Sequence, residues 1–389
     1  MARLTPIRIF LLLSATFLFI QVYLVGSIFD ADVNIVRSIH SAYGYFGSTC
    51  TPARNIVFIK VPKCGGSTIT NIFQRYGEKH NLRFLFPKAG NSTIHSTEIR
   101  DHIGDDVNLI VNHVRFNEKF MKHLMPRDTL YIGVLRNPIG FLKSYYNYAE
   151  KGIITKGNNV SLADFEENPW KYPDLKVQRN RQSLYYGQLD KDTTSKGIDE
   201  FILHVDSMFD LILITDHMKE SIVLLGELLC WSMEDMLYVS HKVSTDGQLG
   251  GKSTTSFEHS SNMTLAEKNY QMHSPSDYAM FEFFNKTLWR KISAMGKSFD
   301  DKLSEFEAML NNLQNRCRYT SEGLGLSDEY IQSVIKEDSD SEDYLCHRML
   351  LPSPQYIEYI LRPKQKILCR SFKECRILTD KRQLPIYSK

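Results

Sequence analysis

The stretch "NIVFIKVPKCGGSTITNIFQRYG", residues 55–77, constrains the fold more than any other part of the chain. Its first half, Ile56–Val61, is an apolar run broken only by Lys60. A continuous run of this kind suits a strand covered on both faces, as in a parallel sheet. Its second half places Ile69, Ile72, Phe73 and Tyr76 at i, i+3, i+4 and i+7, the stripe of an amphipathic helix. Ser67 or Thr68 is expected as its N-cap or in its first turn, and Gly77 is expected to stop it in a left-handed conformation. Between the halves lie Lys60, Lys63, Gly65 and Gly66. Strand, glycine loop and helix N-terminus make an anion cradle: backbone N–H groups point outward, the dipole favours negative charge, and glycine allows close approach. The lysines come before the glycines. A nucleotide P-loop of the G-x-x-x-x-G-K-[ST] type has its lysine after them, with a hydroxyl placed for magnesium, so this loop is an anion site of another order.

Further apolar runs at Val107–Val111, Leu130–Leu135 and Leu211–Thr215, separated by helical patterns, extend the reading to an α/β fold. The run ending at Leu135 leads into "RNPIGFLKS". Pro138 suits the first turn of a helix, which puts Ser144 about two turns along it and Arg136 at the strand end. An arginine fork and a serine hydroxyl can hold one phosphate together. Paired with the lysine loop, this motif describes a ligand with two separated anionic ends. 3′-Phosphoadenosine 5′-phosphosulfate (PAPS) is such a ligand.

On these two motifs the chain resembles the Golgi carbohydrate sulfotransferases, and among them the galactose-3-O-sulfotransferases that include galactosylceramide sulfotransferase. Similar stretches are "YGEKHNLRFLFP" (76–87), "NHVRFNEKF" (112–120), "FDLILITDHMKESIVLLGELLCWSMEDMLY" (209–238), "FFNKTLWRKI" (283–292) and "CHRMLLPSPQYIEYI" (346–360). The resemblance implies a sulfotransferase fold, a P-loop-like parallel sheet flanked by helices. It implies PAPS as sulfate donor and a galactose-terminated glycolipid or glycan as acceptor. The lysine loop would hold the 5′-phosphosulfate through Lys60, Lys63, Gly65, Gly66, Ser67 and Thr68, and Arg136 with Ser144 the 3′-phosphate. The galactose enzymes carry Lys-Thr-His-Lys at the loop, whereas this chain has Lys60-Val61-Pro62-Lys63, which looks more like the uronyl 2-O-sulfotransferases. A uronic acid in a glycosaminoglycan is therefore the alternative acceptor.

Sulfuryl transfer needs cations for the leaving phosphate and a base for the attacking hydroxyl. Lys63 is expected in the first role. His113 is expected in the second, because it follows an apolar strand, where open α/β sheets bind ligands, and imidazole titrates near the working pH. It also matches the "GHV"-type histidine that the related uronyl enzymes use. His80 is the second candidate. Arg115 is a candidate for acceptor binding, and Tyr146, with Tyr145 and Tyr148 beside it, for stacking on a sugar face. Cys64 lies in the cradle but reads as a small filler, since sulfuryl transfer needs no covalent intermediate. Cys230 and Cys317 match cysteines of the family blocks and are candidates to pair in the lumen; the connectivity stays open.

The rest of the sequence concerns where such an enzyme works. Ile9 to Phe29 is a run of 21 residues without a charge, the length of a membrane-spanning helix. Arg3 and Arg8 precede it while Asp30 and Asp32 follow, so the positive-inside bias leaves residues 1–8 cytoplasmic and the remainder luminal. The expected organisation is a signal anchor at 9–29, a stem at 30–54 and a luminal sulfotransferase domain at 55–389 with a C-terminal extension. That describes a single-pass type II protein of the Golgi membrane. Sequons at Asn91, Asn159, Asn262 and Asn285 fit a luminal face. The formal charge of +2 over 389 residues gives no call for nucleic acid. No Cys/His cluster has metal spacing, so no metal is expected. A homodimer is left open. A P-loop kinase and a non-catalytic lectin-like binder are the competing classes. The missing Gly-Lys-Ser/Thr order argues against the first, and the retained Lys63, His113, Arg136 and Ser144 against the second.

Overall fold

The computed structural model describes residues 50–89, 91–172, 179–188, 193–239, 264–321 and 344–365, except 151–160. The expected cytoplasmic tail, membrane anchor and most of the stem lie outside these residues, as do Asn159, Asn262, Cys369, Cys375 and the side chain of Tyr148. Among the described residues no helix is long and apolar enough to cross a membrane. The compact unit that carries the architecture is Thr51–Lys389.

Its centre is a sheet of four parallel strands. β1 is Ile56–Ile59, and β2 (Thr93–Ile94) stands apart from the main sheet. Next come β3 (Leu109–Ile110), β4 (His113–Val114), β5 (Leu130–Leu135) and β6 (Leu211–Ile214). The spatial order is β3-β1-β5-β6, and β2 pairs with β4 as a separate parallel ribbon. Every residue of β1 and of β6 is buried, as strands clad on both faces require. β1 stops two residues short of the expected Val61. Val61 turns back to the Ile59 carbonyl at 3.1 Å, and Pro62 has no N–H to extend the ladder. Gly133 in β5 makes room beneath the sheet. A Cβ there would meet the Tyr186 hydroxyl at 2.5 Å, and that hydroxyl donates to the Val134 carbonyl at 2.9 Å.

Helices cover the sheet. α1 (Gly66–Lys79) follows β1, α2 (Ser96–Asp101) and α3 (Glu118–Leu124) follow the ribbon strands, and α4 (Pro138–Glu150) follows β5. α5 (Leu162–Glu167) and α6 (Ser195–Met208) lead to β6, then α7 (Met218–Leu229) and the short α8 (Met233–Met236). α9 (Leu265–His273) precedes the long α10 (Pro275–Met295) and α11 (Lys297–Ser321), which meet at Gly296 with φ 57°. The last segment comprises α12 (Tyr344–Leu350) and a π-turn, Tyr356–Leu361.

One expectation about α1 is corrected. Gly77 does not end the helix, which runs on to Lys79. A Cβ at Gly77 would meet Phe84 Cζ at 2.3 Å and Leu109 Cδ1 at 2.8 Å, so the glycine serves close packing against the edge strand. The left-handed residue is Asn81 (φ 52°). Leu82 N–H returns to the Gly77 carbonyl at 2.9 Å and Asn81 N–H to that of Glu78 at 3.4 Å, which is a Schellman closure with asparagine in place of glycine.

Candidate active site

Successive connections leave β1 toward β3 and β5 toward β6, in opposite directions. The crevice beyond the carboxyl ends of β1 and β5 is the switch point where open α/β sheets take their ligands. Lys60-Val61-Pro62-Lys63 leaves β1 there, and Arg136 leaves β5 there. His113 begins the ribbon strand just past β3, with its backbone in register with Thr93. Thus topology alone brings the sequence-predicted lysines, arginine and histidine to one edge.

Local geometry tightens that grouping. Lys63 adopts a left-handed backbone (φ 64°), as does Gly65 (φ 67°). Such angles are costly for a lysine and usual for glycine, and they fold the loop into a concavity of amides. Gly65 is the N-cap of α1 and supplies no side-chain cap; its carbonyl accepts from the Thr68 N–H at 3.1 Å, so no side-chain oxygen caps the helix start. Ser67 and Thr68 fall in its first turn. Gly65 is favoured by its left-handed backbone and Gly66 by the close approach of Lys60. A Cβ on Gly65 would lie 2.6 Å from Met218 Cε, and one on Gly66 would lie 2.8 Å from Lys60 Cγ. The stem of Lys60, buried at 6 % exposure, therefore runs over the helix start.

The second motif reaches into the first. Arg136 Nη1 donates to the Lys63 carbonyl at 3.1 Å. A Cβ on Gly140 would lie 3.2 Å from Arg136 Nε, which puts the guanidinium over the first turn of α4. Ser144, half-buried, is one turn further along the same face. Arg136 thus stands between the helix face of Ser144 and the lysine loop.

The candidate base is oriented as well as placed. His113 Nδ1 lies 2.8 Å from the Lys60 carbonyl oxygen. A carbonyl only accepts, so Nδ1 carries the proton and the lone pair of the neutral ring is on Nε2. The ring stands edge to face with Tyr185 at 6.5 Å. Burial raises the Tyr185 phenol, while the positive charges of Arg181 and Arg115 oppose that shift. Arg115 is exposed, and Arg181 lies 5.7 Å over the Tyr145 ring. Tyr185 thus links His113 to Arg115 and Arg181, and Arg181 in turn to Tyr145.

Other sequence-predicted residues lie elsewhere. His80 caps the far end of α1 and packs on Tyr76 at 4.2 Å. Fourteen helical residues separate it from the loop, about 20 Å at 1.5 Å per residue, so it does not join the site. Tyr146 is 8 % exposed and turned into the protein, whereas Tyr145 is the neighbour that reaches Arg181. Cys64 is fully buried; burial first of all pushes its thiol well up, and its Sγ donates to Gln182 Oε1 at 3.3 Å. A neutral, hydrogen-bonded thiol is a poor nucleophile. Cys317 pairs with Cys346, not with Cys230, which is disulfide-bonded separately. Of the described sequons, Asn91 is exposed, and Asn285 sits half-buried within α10.

The sequence reading missed the segment "RNRQSLYYG" (179–187), which crosses the site. Its Asp277 anchor, buried at 1 %, accepts from Gln182 N–H at 3.0 Å and Ser183 N–H at 2.8 Å. Asp216 holds the Asn137 N–H at 2.8 Å. The arginines and paired tyrosines were a visible signal; a structural glutamine and aspartate carry none.

The fold thus gathers a glycine–helix loop, a second cationic strand end and an oriented histidine at one end of a parallel α/β sheet. Comparison with known proteins gives the family. The galactose-3-O-sulfotransferase family model matches residues 1–333, and the chain belongs to that family. It is 28 % identical to human galactosylceramide sulfotransferase over 352 residues, covering 79 % of this chain and 78 % of that protein. It is 26 % identical to mouse galactose-3-O-sulfotransferase 2 over 349 residues, covering 79 % and 85 %. With bovine galactose-3-O-sulfotransferase 4 it shares 24 % over 362 residues, covering 73 % and 74 %.

Proposed function

We propose that the protein is a PAPS-dependent carbohydrate sulfotransferase that sulfates the 3-hydroxyl of a terminal β-galactose on a glycolipid or glycan. The observation that carries this reading is the hydrogen bond from His113 to the Lys60 carbonyl, which fixes a base against the anion loop in a chain of this family. The cradle fits the donor: a left-handed glycine followed by a closely packed one, a helix start without a side-chain cap, and cations on both sides. Bound there, PAPS supplies the sulfuryl group. Lys60, Lys63 and the loop amides hold the 5′ end, and Arg136 with Ser144 the 3′-phosphate. His113 Nε2 takes the proton of the acceptor hydroxyl. The Lys63 ammonium meets the negative charge that grows on the leaving oxygen, where a placed cation has its largest effect. Arg115, Arg181, Tyr145 and Tyr185 frame the acceptor side. In the cell we place the protein in the Golgi membrane as a type II protein with its catalytic unit in the lumen, which fits the charge-free run at 9–29.

The test offers radiolabelled PAPS in parallel to galactosylceramide, lactosyl oligosaccharides and desulfated heparan. Label is expected in the galactosides, and label in heparan alone would move the assignment to a uronyl transferase. Replacing His113 by Ala should lower turnover roughly 10²–10⁴-fold while PAPS binding persists. A variant with near-normal turnover removes His113 from the chemistry.

A further inference from the structure

The two anion motifs are tied to each other through a side chain that belongs to neither. Gln182 Oε1 accepts from the Arg136 backbone N–H at 2.9 Å, and its Nε2 donates to the Arg136 carbonyl at 2.9 Å. Because an amide N–H only donates and a carbonyl only accepts, the carboxamide has one allowed orientation. It continues the ladder past β5 as a strand partner would. Oε1 has a second lone pair, and Cys64 Sγ donates to it at 3.3 Å. Arg136 in turn reaches the Lys63 carbonyl with its guanidinium, and Lys63 is bonded to Cys64. The result is a closed circuit: Lys63, Arg136, Gln182, Cys64. Gln182 is fully buried, and its own backbone is fixed by Asp277.

We propose that Gln182 is a positioning residue that sets the distance between the two anion sites of the donor. The proposal rests on the PAPS reading above. Each site alone is built from its own loop, so a ligand with a single phosphate does not sense the spacing. A ligand with phosphates at both ends does, because one rigid span must satisfy both sites together. Loss of the Gln182 strut should therefore cost the ligand with two phosphates more than the ligand with one.

The measurement is calorimetric binding of adenosine 3′,5′-bisphosphate and of adenosine 5′-monophosphate to the full-length protein in detergent. The variants are Gln182→Met, which keeps volume and loses the hydrogen bonds, and Cys64→Ala, which removes only the link to the lysine loop. For Gln182→Met the preference for the bisphosphate should shrink about tenfold, the effect of losing roughly one network hydrogen bond, with the monophosphate affected less than about twofold. Cys64→Ala should move the ratio in the same direction by less, and it carries the test if Gln182→Met does not fold. An unchanged ratio in a folded variant, or equal weakening of both ligands, overturns the proposal and leaves Gln182 a packing residue. Failure of the wild type to bind the bisphosphate would overturn the PAPS reading itself.

Discussion

Lys63 combines two properties that pull in opposite directions. The proposed mechanism uses its charge at the cradle, yet its backbone sits at φ 64°, where a β-carbon costs about 1–2 kcal/mol. Strain kept at one residue of a binding loop marks a position held for its chemistry. Two substitutions separate the terms. Lys63→Ala and Lys63→Gly both remove the ammonium, and both should lower turnover about 10²–10³-fold. Only glycine relieves the backbone, so Lys63→Gly should melt above Lys63→Ala, by an amount worth up to about 1 kcal/mol after its greater unfolded-state entropy is subtracted. Calorimetric melting of the pair reads the difference. Equal stability would mean the loop relaxes away from the left-handed angle when the side chain shortens. The grouping of Lys63, His113 and Arg136 at one edge of the sheet was legible in the sequence because each follows an apolar strand. The tautomer of His113 was not, since it depends on the Lys60 carbonyl 53 positions away.

At the scale of elements, α1 carries the site at one end and a buried charge at the other. Glu78 is paired with Arg348 at 3.3 Å and Lys364 at 2.9 Å, and it accepts from the hydroxyls of Tyr344 and Tyr356. Burial by itself would raise this carboxyl. Arg348, the Tyr356 hydroxyl and Lys364 outweigh burial and hold it below the ordinary value of 4.5. A carboxyl depressed in the folded state binds fewer protons there than in the unfolded chain, so its stabilising contribution is present above the unfolded value and is lost as pH falls through the folded one. Stability should therefore drop below about pH 4.5, and Glu78→Gln should flatten that limb while lowering the neutral plateau. Chemical denaturation across pH 3–7 measures both, and an unchanged acidic slope in Glu78→Gln would assign the slope to other carboxylates. The elements were legible where local pattern decides them: the apolar runs of β1, β5 and β6, and the 3.6-residue stripe of α1. The end of α1 was misread because Gly77 answers to Phe84 and Leu109, and no local pattern reports a neighbour from another element.

For the whole molecule, the Cys317–Cys346 disulfide joins α11 to α12, and α12 lies on α1, with Asn71 Nδ2 donating to the Arg348 carbonyl at 2.9 Å. Closing a loop with a separation of 29 residues is worth about 3–4 kcal/mol in the chain-entropy picture. Cys346→Ser should cost about that much in unfolding free energy. It should also weaken PAPS binding, although the sulfur is far along the chain from the cradle. A variant as stable as the wild type would show that packing of α12 suffices without the cross-link. The resemblance at 346–360 led one to expect that the tail beyond residue 343 packs with the rest, and α12 does lie on α1. That resemblance did not announce the tail's task, because the partners of Glu78 are spread over Tyr344, Arg348, Tyr356 and Lys364 with no motif among them.

The separation of 266 to 286 residues between Glu78 and its hydroxyl and lysine partners has a consequence in time. Ribosomes add about 5–20 residues per second. The helix that presents the anion loop is made early, then waits between about 15 and 60 s for the segment that neutralises its buried carboxylate. During that interval α1 carries an uncompensated charge on a face meant to be dry. Closure of this buried cluster is thereby deferred until Lys364 has been synthesised, and a nascent chain cut short before Tyr344 lacks Tyr344, Arg348, Tyr356 and Lys364 alike.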